Sequence, residues 1–198
     1  MQPIYHKSPF KINARKENVD SYCRISGNNS IPTEREYWTL CNWQPDDDGS
    51  EIMQLKKLGF LKKKQFHGVD IDKEIIEQNK IWHPDANWHC GDWLEVIGYN
   101  DFNPAMVYLD TTGFVDHSIV IRTAVGTMLL CPKKTLLIVN AMLNDPRSSR
   151  KFDPSKLIGE IGRKVPSSEL KKWDQSIENY DYSSTGKTDL ISYMFYKY

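Results

Sequence analysis

Cross-linking chemistry is scarce in this sequence of 198 residues. Its four cysteines, Cys23, Cys41, Cys90 and Cys131, are widely separated, lie near apolar residues and form no C-x-x-C pair. That argues against a disulfide scaffold and for reduced thiols in the cytoplasm. The five histidines, His6, His67, His83, His89 and His117, share no zinc-type spacing with one another or with cysteine, so no metal centre is expected. An excess of one charge is also missing. Lys plus Arg and Asp plus Glu both total 26, so no global field draws the chain to nucleic acid or to an anionic membrane. No apolar run approaches the ~20 residues that span a bilayer, and Met1-Gln2-Pro3-Ile4-Tyr5-His6-Lys7 carries no apolar stretch of the signal-peptide kind. A soluble, cytoplasmic protein with no membrane partner is expected. Three glycine signatures are absent as well: the dinucleotide fingerprint G-x-G-x-x-G, the phosphate loop G-x-x-x-x-G-K-[ST] and the nucleophile elbow G-x-S-x-G.

What is present is alternation. Residues 10–25 loosely follow a helical period before Gly27-Asn28-Asn29-Ser30 breaks the chain, which predicts an N-terminal helical extension over residues 1–36. The aromatic and β-branched run Tyr37 to Trp43 then opens the main domain, residues 37–198, as a strand. Ser50 is placed to cap a helix carrying Ile52, Met53, Leu55 and Leu58, with Gly59 at its stop. Phe66 to Ile71 reads as a buried strand, Asp72 as the next cap, and Lys73 to Trp82 as a helix ended before Pro84. Trp88-His89-Cys90 is a third strand and Gly91-Asp92-Trp93 a turn into a short helix. Ala105 to Leu109 is a fourth strand ending on Asp110-Thr111-Thr112-Gly113. Ser118 to Leu130 is a helix closed by Pro132, and Thr135 to Val139 is a fifth strand. A helical stretch around Ser168 to Trp173 precedes two strand-like runs, Ile177 to Tyr182 and Leu190 to Tyr198. The short polar joint Ser183 to Lys187 predicts an antiparallel hairpin between them. The fold class that follows is α/β, a three-layer Rossmann-like sheet, mostly parallel with a C-terminal antiparallel hairpin.

In such a sheet, ligands bind outside the carboxyl ends of the strands. The residues delivered there are Asn42, Asp70, Asp92, Asp110 and Asn140. Asp70, at the end of the second strand, is placed to accept both hydroxyls of a ribose; the plainer alternative is a loop acid with no ligand. Asp92 and Trp93 suit an adenine amino group and a purine face, or else a turn with a core tryptophan. His117 reads as a structural histidine or as a group near an incoming substrate. The turn after the first strand, Cys41 to Glu51, is long and acidic with one glycine, Gly49, and suits a sulfonium and an amino group better than a pyrophosphate. A basic stretch from Arg147 to Lys172 offers a partner surface for nucleic acid or an ordinary solvated face.

Taken in order, Gly68-Val69-Asp70-Ile71-Asp72 with Glu74-Ile75-Ile76 and Asn79, then Gly91-Asp92, then Tyr108-Leu109-Asp110, resembles the class I S-adenosylmethionine-dependent methyltransferases. The terminal hairpin is similar to their sixth and seventh strands. The resemblance implies S-adenosylmethionine as cofactor, with Asn42, Glu51, Asp70, Asp92 and Trp93 around it and Asp110 at the methyl group as the catalytic candidate. It implies a transferase acting on RNA, protein or a small molecule. The altered first turn keeps open a non-catalytic binding or scaffold protein on the same fold. The Asn/Asp-Pro-Pro-aromatic motif of the DNA amino-methyltransferases is absent after the fourth strand, where Asp110-Thr111-Thr112-Gly113 stands.

Overall fold

A computed structural model describes residues 9–143, 152–178 and 190–198. The chain divides into two compact units, Met1–Val107 and Tyr108–Tyr198. The first unit carries α1 (Pro9–Ser26), β1 (Glu36–Leu40), α2 (Glu51–Lys57), one 3-10 turn (Lys63–Gln65), β2 (Phe66–Asp70), α3 (Lys73–Trp82), β3 (Asn87–Cys90), α4 (Trp93–Tyr99) and the opening residues of β4 (Pro104–Phe114). Its strands run in the order β3-β2-β1-β4. β1 and β3 both pair in parallel with β2, Thr39 opposite Gly68 and Gly68 opposite Trp88.

The loose period of the N-terminal segment has a physical reason. α1 buries Ala14, Val19 and Tyr22 together with Arg15, Asn18 and Ser21, so half of its inward face is polar and the apolar signal is diluted. Tyr22 meets Phe60 edge-on at 5.3 Å. The core of this unit is aromatic: Tyr37, Trp38, Phe60 and Phe66 are at most 2% exposed, and each such side chain contributes about 1.5–3 kcal/mol by leaving water. Gly68 is where glycine is obligatory. A Cβ there would stand 2.5 Å from the Trp88 ring and 3.1 Å from the Cys41 sulfur, so the missing side chain is what lets Trp88 lie flat on β2.

The second unit holds the rest of β4, α5 (Ser118–Leu130), β5 (Thr135–Met142), α6 (Ser155–Lys164), α7 (Ser167–Leu170), β6 (Trp173–Glu178) and β7 (Leu190–Lys197), in the strand order β4-β5-β7-β6. β7 is antiparallel to both neighbours, with Lys197 opposite Thr135 and Trp173. The whole is the expected α/β Rossmann-like sheet, mostly parallel with C-terminal antiparallel strands. Several boundaries differ from expectation, among them β5, which runs on to Met142, and β6, which spans Trp173–Glu178. β1 stops at Leu40 instead of Trp43, because side chains from elsewhere take the backbone of the following residues. β4 continues through Asp110 to Phe114, held by the Thr111 hydroxyl donating to the Asn140 carbonyl at 2.6 Å and the Val115 amide donating to the Met142 carbonyl at 3.2 Å. Trp173 opens β6 instead of closing a helix. The joint Ser183 to Lys187 lies outside the described residues, as do Asn144 to Lys151.

Candidate functional site

Three neighbouring parallel strands of the first unit end side by side. The Cys41 amide donates to the Val69 carbonyl at 3.0 Å, and the Gly91 amide to the Asp70 carbonyl at 3.0 Å. The turns that begin at Asn42, Asp70 and Asp92 are therefore adjacent. Gly91 turns the chain there with φ 154°, a value that suits glycine.

Asp70 and Asp72 divide the second turn between them. Asp72 is the N-cap of α3, its Oδ1 accepting from the Glu74 amide at 2.8 Å, while Asp70 Oδ1 accepts from the Asp72 amide at 2.9 Å. Asp70 is half-buried, and burial raises its carboxyl above the usual aspartate range; the amides of Asp72 and Ile71 offset part of that. A carboxylate in that state gains from new donors, because hydrogen bonds from hydroxyls restore what desolvation removed. Asp92 caps α4 through the Leu94 amide at 3.0 Å. Trp93 is 4% exposed and stands edge-on to Trp38 and Phe102.

The turn after β1 is built from distant side chains. Asn79, fully buried on α3, accepts from the Gln44 amide at 2.8 Å and donates to the Asn42 carbonyl at 3.0 Å. The buried Gln44 amide side chain in turn accepts from the Glu51 amide at 2.9 Å. Arg15 of α1 reaches across to donate to the Gly49 carbonyl at 3.0 Å and to Gln54 Oε1 at 3.0 Å. It also lies 3.9 Å from the Glu51 carboxylate, which accepts a hydrogen bond from the Tyr37 hydroxyl. Ser50 caps α2 through the Met53 amide. Glu51 is 3% exposed and its carboxylate faces a guanidinium and a phenol, whereas Asn42, Asp46 and Asp48 are on the surface. Arg15, Gln44 and Asn79 were not legible as site residues, since nothing local in the sequence points to bonds spanning 34 and 35 residues.

On the opposite face of the same strands, Trp38 stacks on His67 at 4.3 Å and on His89 at 4.9 Å. The two imidazoles meet at 3.1 Å. Burial, helped by the neighbouring His89, lowers His67 to about 3, and burial lowers His89 as well. Both rings are thus neutral at pH 7.

In the second unit, Asp110 lies within β4. Asn140, 1% exposed on β5, donates to the Tyr108 hydroxyl at 2.7 Å, stands 3.5 Å from Asp110 Oδ1, and accepts from the Ser192 hydroxyl at 2.5 Å. His117 caps α5 by accepting from the Ile119 amide at 3.4 Å, the structural one of its two readings. Among the described residues no group of three or more His, Cys, Asp or Glu side chains is arranged to hold a metal ion, and no helix is long and apolar enough to cross a membrane.

No family model and no curated protein matches the sequence. Solved structures do match in fold. The plantazolicin methyltransferase BpumL, in complex with SAH, superposes with a TM-score of 0.60 at 10% identity, covering 97% of this chain and 86% of its own. DesVI of Streptomyces venezuelae gives 0.56 at 9% identity, covering 94% and 92%. A TehB-like SAM-dependent methyltransferase of Corynebacterium glutamicum gives 0.52 at 16% identity, covering 94% and 99%. With the strand order and the carboxyl-end turns described above, the fold of this chain is that of the class I S-adenosylmethionine-dependent methyltransferases.

Proposed function

We propose that the chain is an S-adenosylmethionine-dependent methyltransferase. The observation that carries this is the set of three adjacent strand ends in the first unit, with the half-buried Asp70 at the middle one. The donor set fits the group: a carboxylate for vicinal hydroxyls, Asp92 for an amino group, and an acidic turn with Asp46 at its surface for a cation. When bound, the cofactor supplies a methyl group on a positively charged sulfur, open to in-line displacement.

The protein's own residues supply position. Asp70 is assigned the ribose hydroxyls and Asp92 the adenine edge. Trp93 acts from beneath, its ring closing the wall with Trp38 and Phe102. Asn42 is assigned the amino-acid end of the cofactor. Glu51, held by Tyr37 and Arg15, fixes the shape of the turn that Asn42 begins. Asp110 is assigned to the methyl acceptor, with Asn140 setting its orientation. The acceptor belongs to one of three classes, RNA, protein or small molecules, because this fold does not by itself select a substrate.

Calorimetric titration with S-adenosylmethionine tests the reading. Saturable binding at micromolar to low millimolar ligand is expected. Absence of heat at millimolar ligand, with the chain folded, would refute it and leave a binding or scaffold protein on a methyltransferase fold.

A further inference from the structure

The first unit has an open groove at the far end of its strands. α2 runs back from the carboxyl end of β1, so its last turn, the 3-10 turn that precedes β2 and the residues that precede β3 gather beyond the amino ends of the strands. There an open groove of about 510 Å³ is lined by Lys56, Leu61, Lys62, Lys63, Lys64 and Asp85. Four ammonium groups face one carboxylate, a local excess of three positive charges in a chain whose net charge is zero.

These charges are uncommitted. Lys57 beside them is paired with Asp48 at 2.5 Å, whereas Lys56, Lys62, Lys63 and Lys64 make no ion pair among the described residues. In the described part of the C-terminal basic stretch three charges are paired: Lys156 faces Asp116 at 3.6 Å, Lys172 faces Glu169 at 2.6 Å, and Arg163 is paired with Glu160. The positive field of the groove is also felt by its neighbour: after burial, the Lys63 ammonium is the largest influence holding His83 below the ordinary histidine range.

We propose that the Lys56 to Lys64 groove binds the phosphodiester backbone of a nucleic acid strand, without reading its sequence. Lysine supplies point charges for phosphates, and the lining has no aromatic ring to stack a base and no amide or guanidinium to read one. The lining is charged and carries one apolar side chain, Leu61, so it offers contacts to phosphates and little to an acyl chain. The groove lies at the opposite end of the strands from Asp70 and Asp92, so this binding is independent of the cofactor reading and is measured without cofactor.

The test is fluorescence anisotropy of the full chain with labelled oligo-U RNA and oligo-T DNA across a salt series. Both probes are expected to bind at low salt with similar affinity. The expected slope of log affinity against log salt is about −2 to −3, from three or four single-strand phosphate contacts at roughly −0.7 each. Lys62→Glu with Lys64→Glu, both exposed lysines, is expected to weaken binding at least about tenfold and to flatten the slope by about 1.4. Lys171→Glu is expected to leave it unchanged. Circular dichroism checks that the double variant folds; if it does not, the neutral variant Lys56→Gln with Lys62→Gln and Lys64→Gln is expected to weaken binding likewise and to flatten the slope by about 2.1. No binding at low salt, unchanged affinity in the reversed variant, or loss of binding in Lys171→Glu instead would overturn the proposal. So would full displacement of the RNA by ~1 mM inorganic phosphate, which would make the groove a free-phosphate site, or capture by phosphatidylserine vesicles with no RNA binding.

Discussion

The turns after β1 and β2 begin on neighbouring strands and are held in opposite ways. The second is local. Asp70 and Asp72 accept amides two residues ahead, so both carboxylates that shape it bond within residues 70–74. The first is global: its backbone is tied by Arg15 from α1, Asn79 from α3 and Gln54 from α2, and the acid at its end is held by Tyr37 from β1. The family resembled uses glycine to bring this backbone close to a ligand, whereas here buried side chains hold a glycine-poor turn in one conformation. A turn fixed by distant residues is only as stable as the packing of the elements that carry them.

That contrast can be broken in several places. The largest effect is expected at Arg15→Ala, which strips a charged partner from the buried Glu51 and leaves the Gly49 carbonyl with Gln54 alone as its side-chain donor; stability should fall by about 3–5 kcal/mol in urea unfolding. Asn79→Ala removes one amide that serves two backbone groups and should cost about 2–3 kcal/mol, with exchange of the Gln44 amide becoming fast. If either variant is neutral, the turn is not held as described.

The histidine pair beneath the same strands sets a pH dependence. His67 is held near 3 in the fold and returns to about 6.5 on unfolding, so the unfolded chain takes up the proton that the folded chain refuses. The contribution is complete above pH 6.5 and is lost as pH falls towards 3. Between pH 7.5 and 5, stability should drop by about 2 kcal/mol from His67, with a further loss from His89. His67→Gln should remove the larger share of that slope. The smallest effect sharpens the comparison from the other side: Asp72→Ala loses one local cap, about 1 kcal/mol, and leaves the first turn intact.

The same distinction explains what was legible. Ser50 and Asp72 as caps, α5 from Ser118 to Leu130, and β2 nearly to the residue are features whose physics lies within a few neighbouring positions. Asp92 was legible as a turn residue, and the cap it makes on α4 is the local half of its expected chemistry. The β4 extension was hidden because Asp110, Thr111 and Thr112 are polar, and it is pairing at the far end of β5 that keeps them in a strand. Arg15 and Asn18 on the buried face of α1 masked the helix period that would have tied the N-terminal segment to α2. Trp93 showed its aromatic character in the sequence, but its burial against Trp38 and Phe102 depends on tertiary contacts.

The central claim is that the second turn divides ligand binding from helix capping. Calorimetric titration of S-adenosylmethionine into Asp70→Ala and Asp72→Ala side by side tests it most directly. The account predicts that Asp70→Ala weakens binding by tenfold or more, about 1.4 kcal/mol, while Asp72→Ala stays within about twofold of the parent. Unchanged affinity in Asp70→Ala, or the larger loss in Asp72→Ala, would contradict it.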